Sequence, residues 1–224
     1  MPRMARDREE TVGTTMLLWM AAALLVLLIG GRLVRVALAL VLGPAIGRTA
    51  LAQQPDTIHL APLPPDAWRD AATVECTTAL LVARGFTPAG DHAIPELPGV
   101  HVRLLAHEPA AFLAAIYEHP IAGQWFDLVH RGEDGSSATW TTAPPTGLDD
   151  RPGHPTTRVP GAHPGELFDR ARREAGHAPA RPAEVRWAGR DFEEAYAESI
   201  AWRKARGVSR REVVQAASHS RRAA

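Results

Sequence analysis

The sequence is poor in the residues that most readily announce chemistry. It has one cysteine, Cys76, two tyrosines and one lysine, Lys204. A single thiol excludes a disulfide framework and a Cys-rich zinc module, and it leaves out iron–sulfur and thiol-exchange chemistry unless another subunit contributes. Net charge is missing too: 25 basic and 25 acidic residues cancel, so the simplest argument for nucleic acid as a partner is gone. No G-x-G-x-x-G, Walker P-loop, G-x-S-x-G elbow or H-E-x-x-H occurs, which removes the commonest nucleotide, serine-hydrolase and zinc-protease signatures. No cofactor is expected, and no internal repeat is found.

What the chain does have is apolar content, 46% of 224 residues, enough for a packed core. Its basic residues are nearly all arginine. With abundant Ala, Gly and Pro, this is the bias of a GC-rich bacterial genome and carries no functional weight by itself.

The strongest signal is an uncharged stretch over residues 11–31, containing MLLWMAAALLVLLIGG. At about 1.5 Å per residue it spans roughly 30 Å, the thickness of a bilayer's hydrocarbon core. A buried core helix would rarely be apolar on all faces for so long. A single-pass transmembrane helix is therefore expected over 11–31, after a basic tail at 1–10, with membrane lipid as its partner. It could extend to residue 42, with Pro44 ending it. Alternatively the second apolar stretch, 36–47, lies in the interface while Arg32 and Arg35 snorkel to headgroups. A third reading makes 36–47 a signal-peptide core, with cleavage after Ala52.

Charge is unevenly spread. Residues 201–224 carry seven basic residues against Glu212 alone, residues 1–50 are net +3, and 51–200 are therefore net −9. Basic ends favour an anionic inner leaflet. On that ground the soluble part is expected on the cytoplasmic side, with Arg210 and Arg211 joining Arg32 and Arg35 at the membrane surface.

Residues 53–65 read as a Pro-rich stalk, 66–207 as a soluble domain, and 208–224 as an Arg-rich helix and tail. Asp66 is expected to cap a helix running to Arg84, stopped by Gly85, with Trp68, Ala72, Cys76, Ala79, Leu80 and Ala83 inward. Cys76 then reads as a small buried hydrophobe. Strands are predicted over 87–94, 100–107, 111–118, 125–131 and 138–142, the last two joined by an Asp134-Gly135 turn. Alternation would place Trp125, Asp127 and Val129 on one face and Phe126, Leu128 and His130 on the other. The short connections predict an antiparallel meander of about five strands. Helices follow from Pro164 to about Ala175 and from Asp191 to Gly207, and Ser209 with Glu212 forms a capping box for a last one. The fold class expected is α+β, with helices before and after the sheet.

Catalytic candidates are few. Glu118 and His119 could form an acid–base pair. His119, His154 and His163, with Asp127, His130, Asp149 and Asp150 nearby in sequence, offer nitrogen and carboxylate ligands for zinc or manganese. Their spacing is irregular, so no metal site is assigned. The segment 147–164 is long for a connector, and Asp150, Arg151 and His154 within it are the candidate ligand-binding residues. These signs favour a membrane-anchored, non-catalytic binding or interaction module, with a protein or small-molecule partner and no nucleic acid. The alternatives are a metal-assisted hydrolase using His119, His154 and His163, and a binder of anionic membrane through the Arg-rich C-terminus.

Overall fold

The computed structural model describes residues 47, 49 and 51–220. The expected membrane span, the basic tail, and Arg32 and Arg35 lie outside the described residues. No described helix is long and apolar enough to cross a membrane.

The domain is α+β, as the sequence predicts, but its sheet has seven strands rather than five. They run in chain order: β1 (Ala61–Pro62), β2 (Thr87–Ala93), β3 (His101–His107), β4 (Phe112–His119), β5 (Gly123–Arg131), β6 (Ser137–Thr141) and β7 (Thr156–Arg158). All neighbours are antiparallel up to β6. β7 pairs parallel with β6, so the sheet is mixed and not a pure meander. A parallel neighbour needs a crossover of about a dozen residues; residues 142–155 supply it. At the other edge, β1 falls in the expected stalk. Ile58 is buried, and Leu63 N–H donates to the Asp91 carbonyl at 2.9 Å. Proline is tolerated in β1 because the strand is an edge.

The β5–β6 hairpin closes at the expected turn. Gly135 takes φ +83°, and Asp134 Oδ1 accepts from Ser136 N at 2.9 Å. Entry into β4 is less ordinary. Ala111 sits at φ 54° in the left-handed region, which costs an L-residue roughly 1–2 kcal/mol.

Helices cover both faces of the sheet. On one lie α1 (Ala71–Val82) and α2 (Pro164–Ala175). The cap of α1 is Asp70, which accepts from Thr73 N at 3.1 Å, and not Asp66, which sits in a separate 3-10 turn over Pro65–Ala67. Its buried face also differs from expectation. Val74, Thr78 and Leu81 face inward, while Ala72, Cys76, Ala79 and Ala83 are exposed. The segment AATVECTTALLV is apolar nearly all round, so periodicity could not choose a face. Tertiary contact chose it. Arg103 on β3 forks onto Asp91 at 2.6 and 2.7 Å and also reaches Thr78 Oγ1 at 3.0 Å. α2 matches its expected bounds, with Leu167, Phe168 and Ala171 buried and Gly176 just after it. These helices and the sheet enclose the larger core, including Leu81, Leu105, Phe112, Leu128, Trp140 and Phe168.

On the other face lie α3 (Ala188–Arg206) and α4 (Arg210–Ser220). α3 begins three residues before Asp191, which sits in its first turn. Phe192 and Tyr196 pack with Ile58, Val102, Leu104 and Ala115 in a smaller core over β3 and β4. Glu193 Oε1 accepts from Leu60 N at 2.7 Å, and Tyr196 donates to the Pro55 carbonyl at 3.1 Å. The segment expected as a free stalk is thereby tied to α3.

Candidate functional site

Alternation along the strands decides what each face of the outer sheet presents. Cross-strand register puts Arg131 opposite Ser137, Val129 opposite Thr139, and Asp127 opposite Thr141; Thr139 then meets Thr156, and Thr141 meets Arg158. This patch is largely polar. α3 packs closely over β3 and β4, where the sheet is apolar, and leaves β5–β7 uncovered beneath it. The result is a cavity of about 1080 Å³. One wall is Tyr117, Val129, Arg131, Ser137, Thr139, Thr156 and Arg158. The opposite wall is Phe192, Ala195, Tyr196, Ser199, Ile200 and Trp202 on α3. Leu148 to Arg151 and His154 from the long loop, Val213 and Ala216 from α4, and Leu51 and Gln54 complete it.

The loop is held at the rim by a buried clasp. Glu212, fully buried, accepts from Ser209 N at 2.8 Å, Asp149 N at 2.9 Å and Arg203 Nη1 at 2.6 Å. Ser209 Oγ in turn accepts from Glu212 N at 3.2 Å, so the expected capping box forms. Burial works against the ionised carboxyl, but these donors outweigh it and hold Glu212 down to about 2. Arg203 Nη2 also donates to the Asp149 carbonyl at 2.5 Å.

The structure brings Asp150, Arg151 and His154 together on this cavity. Asp150 Oδ2 accepts from Thr156 N at 2.9 Å, and its Oδ1 lies 3.5 Å from Arg158. Arg151 reaches Glu198 on α3 at 3.3 Å. His154 Nδ1 lies 2.8 Å from Ser137 Oγ. Burial, with the Arg151 charge second, lowers the His154 pKa.

Glu118, His119 and His163 are placed elsewhere. Glu118 is buried and accepts from Arg69 N at 2.9 Å, Asp70 N at 3.0 Å and Gln124 Nε2 at 2.9 Å. Burial opposes its charge, yet the donated hydrogen bonds keep its pKa below the usual range. It anchors the start of α1. Its neighbour His119 projects from the other side of the strand, and its Nδ1 accepts from Ile121 N at 3.1 Å and Ala122 N at 3.0 Å to shape a turn. The two do not form an acid–base pair. His163 precedes α2 and makes no side-chain cap. Among the described residues no three His, Cys, Asp or Glu side chains gather as a metal ion requires. Arg210 and Arg211 are exposed on α4.

Sequence reasoning did not single out Arg131, Ser137, Thr139, Thr156 or Arg158. Asp127 was visible as a lone acid on an otherwise apolar strand face. Burial pushes its carboxyl up to about 6, against the pull of the Thr141 and Tyr117 hydroxyls and the Arg158 charge. His130, on the opposite face, packs against Phe112 with ring centroids 5.1 Å apart, and burial lowers its pKa. Compared with known proteins, the chain matches no protein-family model, no curated protein and no solved structure at a significant level.

Proposed function

We propose that this chain is a membrane-anchored, non-catalytic binding module whose ligand occupies the cavity between β5–β7 and α3. The cavity itself carries the proposal. Its volume of about 1080 Å³ lies just above the roughly 300–1,000 Å³ typical of small-molecule sites, and its mixture of apolar wall and a few convergent polar groups is what such sites share. The apolar stretch at 11–31 supports the anchor, and a soluble domain on the cytoplasmic face suits the basic ends. Two measurements test this. The full chain should sediment with membranes and stay there through an alkaline wash; recovery in the supernatant removes the anchor. Native mass spectrometry of the chain released from membranes should show a stoichiometric small-molecule adduct. Wild type free of adduct, like Thr139→Trp, which puts an indole against the polar wall, removes the binding role.

One contact favours a second reading, a hydrolase. Ser137 Oγ and His154 Nδ1 are within hydrogen-bond reach at 2.8 Å on the cavity wall, the geometry of a nucleophile and its base. Covalent labelling by a fluorophosphonate, abolished by Ser137→Ala, would establish it. Absence of labelling leaves the pair as the bond that pins the loop to β6.

A further inference from the structure

The charges along the cavity are not equally satisfied. Arg203 is closed onto Glu212, Arg151 reaches Glu198, and Arg158 lies 3.5 Å from Asp150. Arg131 differs from them. Its Nη1 donates to the Asp191 backbone carbonyl at 3.1 Å, and it forms no ion pair among the described residues. A half-buried guanidinium without a carboxylate is a cation waiting for an anion.

Its surroundings extend the point. Between Arg131 on one register row and Arg158 on another, Thr139 and Thr156 sit side by side on the same face. Both line the cavity, and neither side-chain hydroxyl has a hydrogen-bond partner among the described residues. Two free hydroxyls beside an uncompensated guanidinium make a donor set for an oxyanion. Facing them, Phe192, Ile200 and Trp202 of α3 offer hydrocarbon and aromatic surface, and the α3 carboxylate on the cavity, Glu198, is paired with Arg151 at 3.3 Å.

We infer that the cavity binds a single-chain amphiphile with a carboxylate head, the head on Arg131, Thr139 and Thr156 and the alkyl chain along α3. This rests on the binding role proposed for the cavity and adds the chemistry of its occupant. The polar wall alone would suit a small hydrophilic anion. The apolar wall, and a volume several times what a carboxylate needs, require a tail.

The test is calorimetric titration of the full chain in amphipol with decanoate, decanol and decyltrimethylammonium, each corrected against empty amphipol. Decanoate should bind one per chain, at least tenfold tighter than decanol, with the cation weakest. Charge-assisted hydrogen bonds of about 1.5–3 kcal/mol correspond to roughly tenfold or more. Arg131→Met should erase the preference for decanoate and leave decanol unchanged, while Arg131→Lys should keep part of it. Because Arg131 also holds the start of α3, Thr139→Val serves as an independent variant. It keeps the volume, and it should weaken decanoate several-fold without weakening decanol. Equal binding of decanoate and decanol, unmoved by either substitution, overturns the anionic head and leaves the cavity as a binding site. Failure of all three probes to bind overturns the amphiphile as occupant, and the adduct in native mass spectrometry then separately decides the binding role.

Discussion

The two faces of the sheet are made from the same strands and end differently. On one face Leu105, Phe112, Leu128 and Trp140 meet α1 and α2 with essentially no exposed surface. On the other, apolar residues stop at β5, and the next positions outward are Arg131, Ser137, Thr139, Thr156 and Arg158. A helix over the first face gains by closing on it. A helix over the second gains nothing by closing, since that would desolvate the Arg131 guanidinium and the Thr139 and Thr156 hydroxyls without supplying partners. The contrast sets residues that close a core apart from residues left around a cavity, and substitutions on the two sides should behave accordingly.

The largest effect is expected in the closed face. Phe112→Ala should destabilise by about 3–5 kcal/mol in chemical denaturation. Phe192→Ala, only half-buried over the cavity, should cost clearly less, and equal costs would erase the distinction. Next is the clasp at the rim. Glu212→Gln should cost ~2–3 kcal/mol, since it leaves Arg203 buried with a weakened partner. The folded-state pKa of Glu212 is depressed. Its contribution is therefore present above the unfolded value of about 4.3, and it is lost as pH falls toward its folded value of about 2. The variant's deficit should shrink over that range.

Asp127 has the opposite sign. Its folded pKa, about 6, lies above the unfolded one, so the folded state loses stability as pH rises from roughly 4 to 6. Asp127→Asn should match wild type near pH 4 and exceed it at pH 7.5, by ~1–3 kcal/mol. A gain independent of pH would show that the carboxyl is not strained by burial. Ala111→Gly should stabilise by about 1 kcal/mol, because glycine adopts the left-handed backbone at little cost. A loss would mean that the methyl group's packing outweighs the strain.

Much of the inner sheet was legible from residues alone. β2 to β6 fall within two residues of their expected bounds, because each is a short segment fenced by turn residues, and β3 to β5 are apolar or alternating as well. α2 was legible for the same reason, between Pro164 and Gly176. β1 and β7 were not. Two and three residues, one of them proline, have no pattern of their own, and only the neighbouring strand makes them strands. The buried face of α1 was illegible because both faces of that segment are apolar. Of the site, the long loop with Asp150, Arg151 and His154 was found from its length. Its partners on the sheet were missed because isolated Arg, Ser and Thr on a strand look like an ordinary solvent-facing row. What makes them a site is that α3 stands over them, and that follows from where Phe192 and Tyr196 dock.

The smallest expected change in stability is also the most direct test. Thr139→Leu removes a head-group hydroxyl, puts a branched side chain in its place, and should alter stability by no more than ~0.5 kcal/mol. Measured by calorimetry on the full chain in amphipol, it should weaken the one-per-chain binding of decanoate at least tenfold relative to wild type. Binding of wild-type affinity and stoichiometry would place the ligand elsewhere and contradict the division of labour between the two faces.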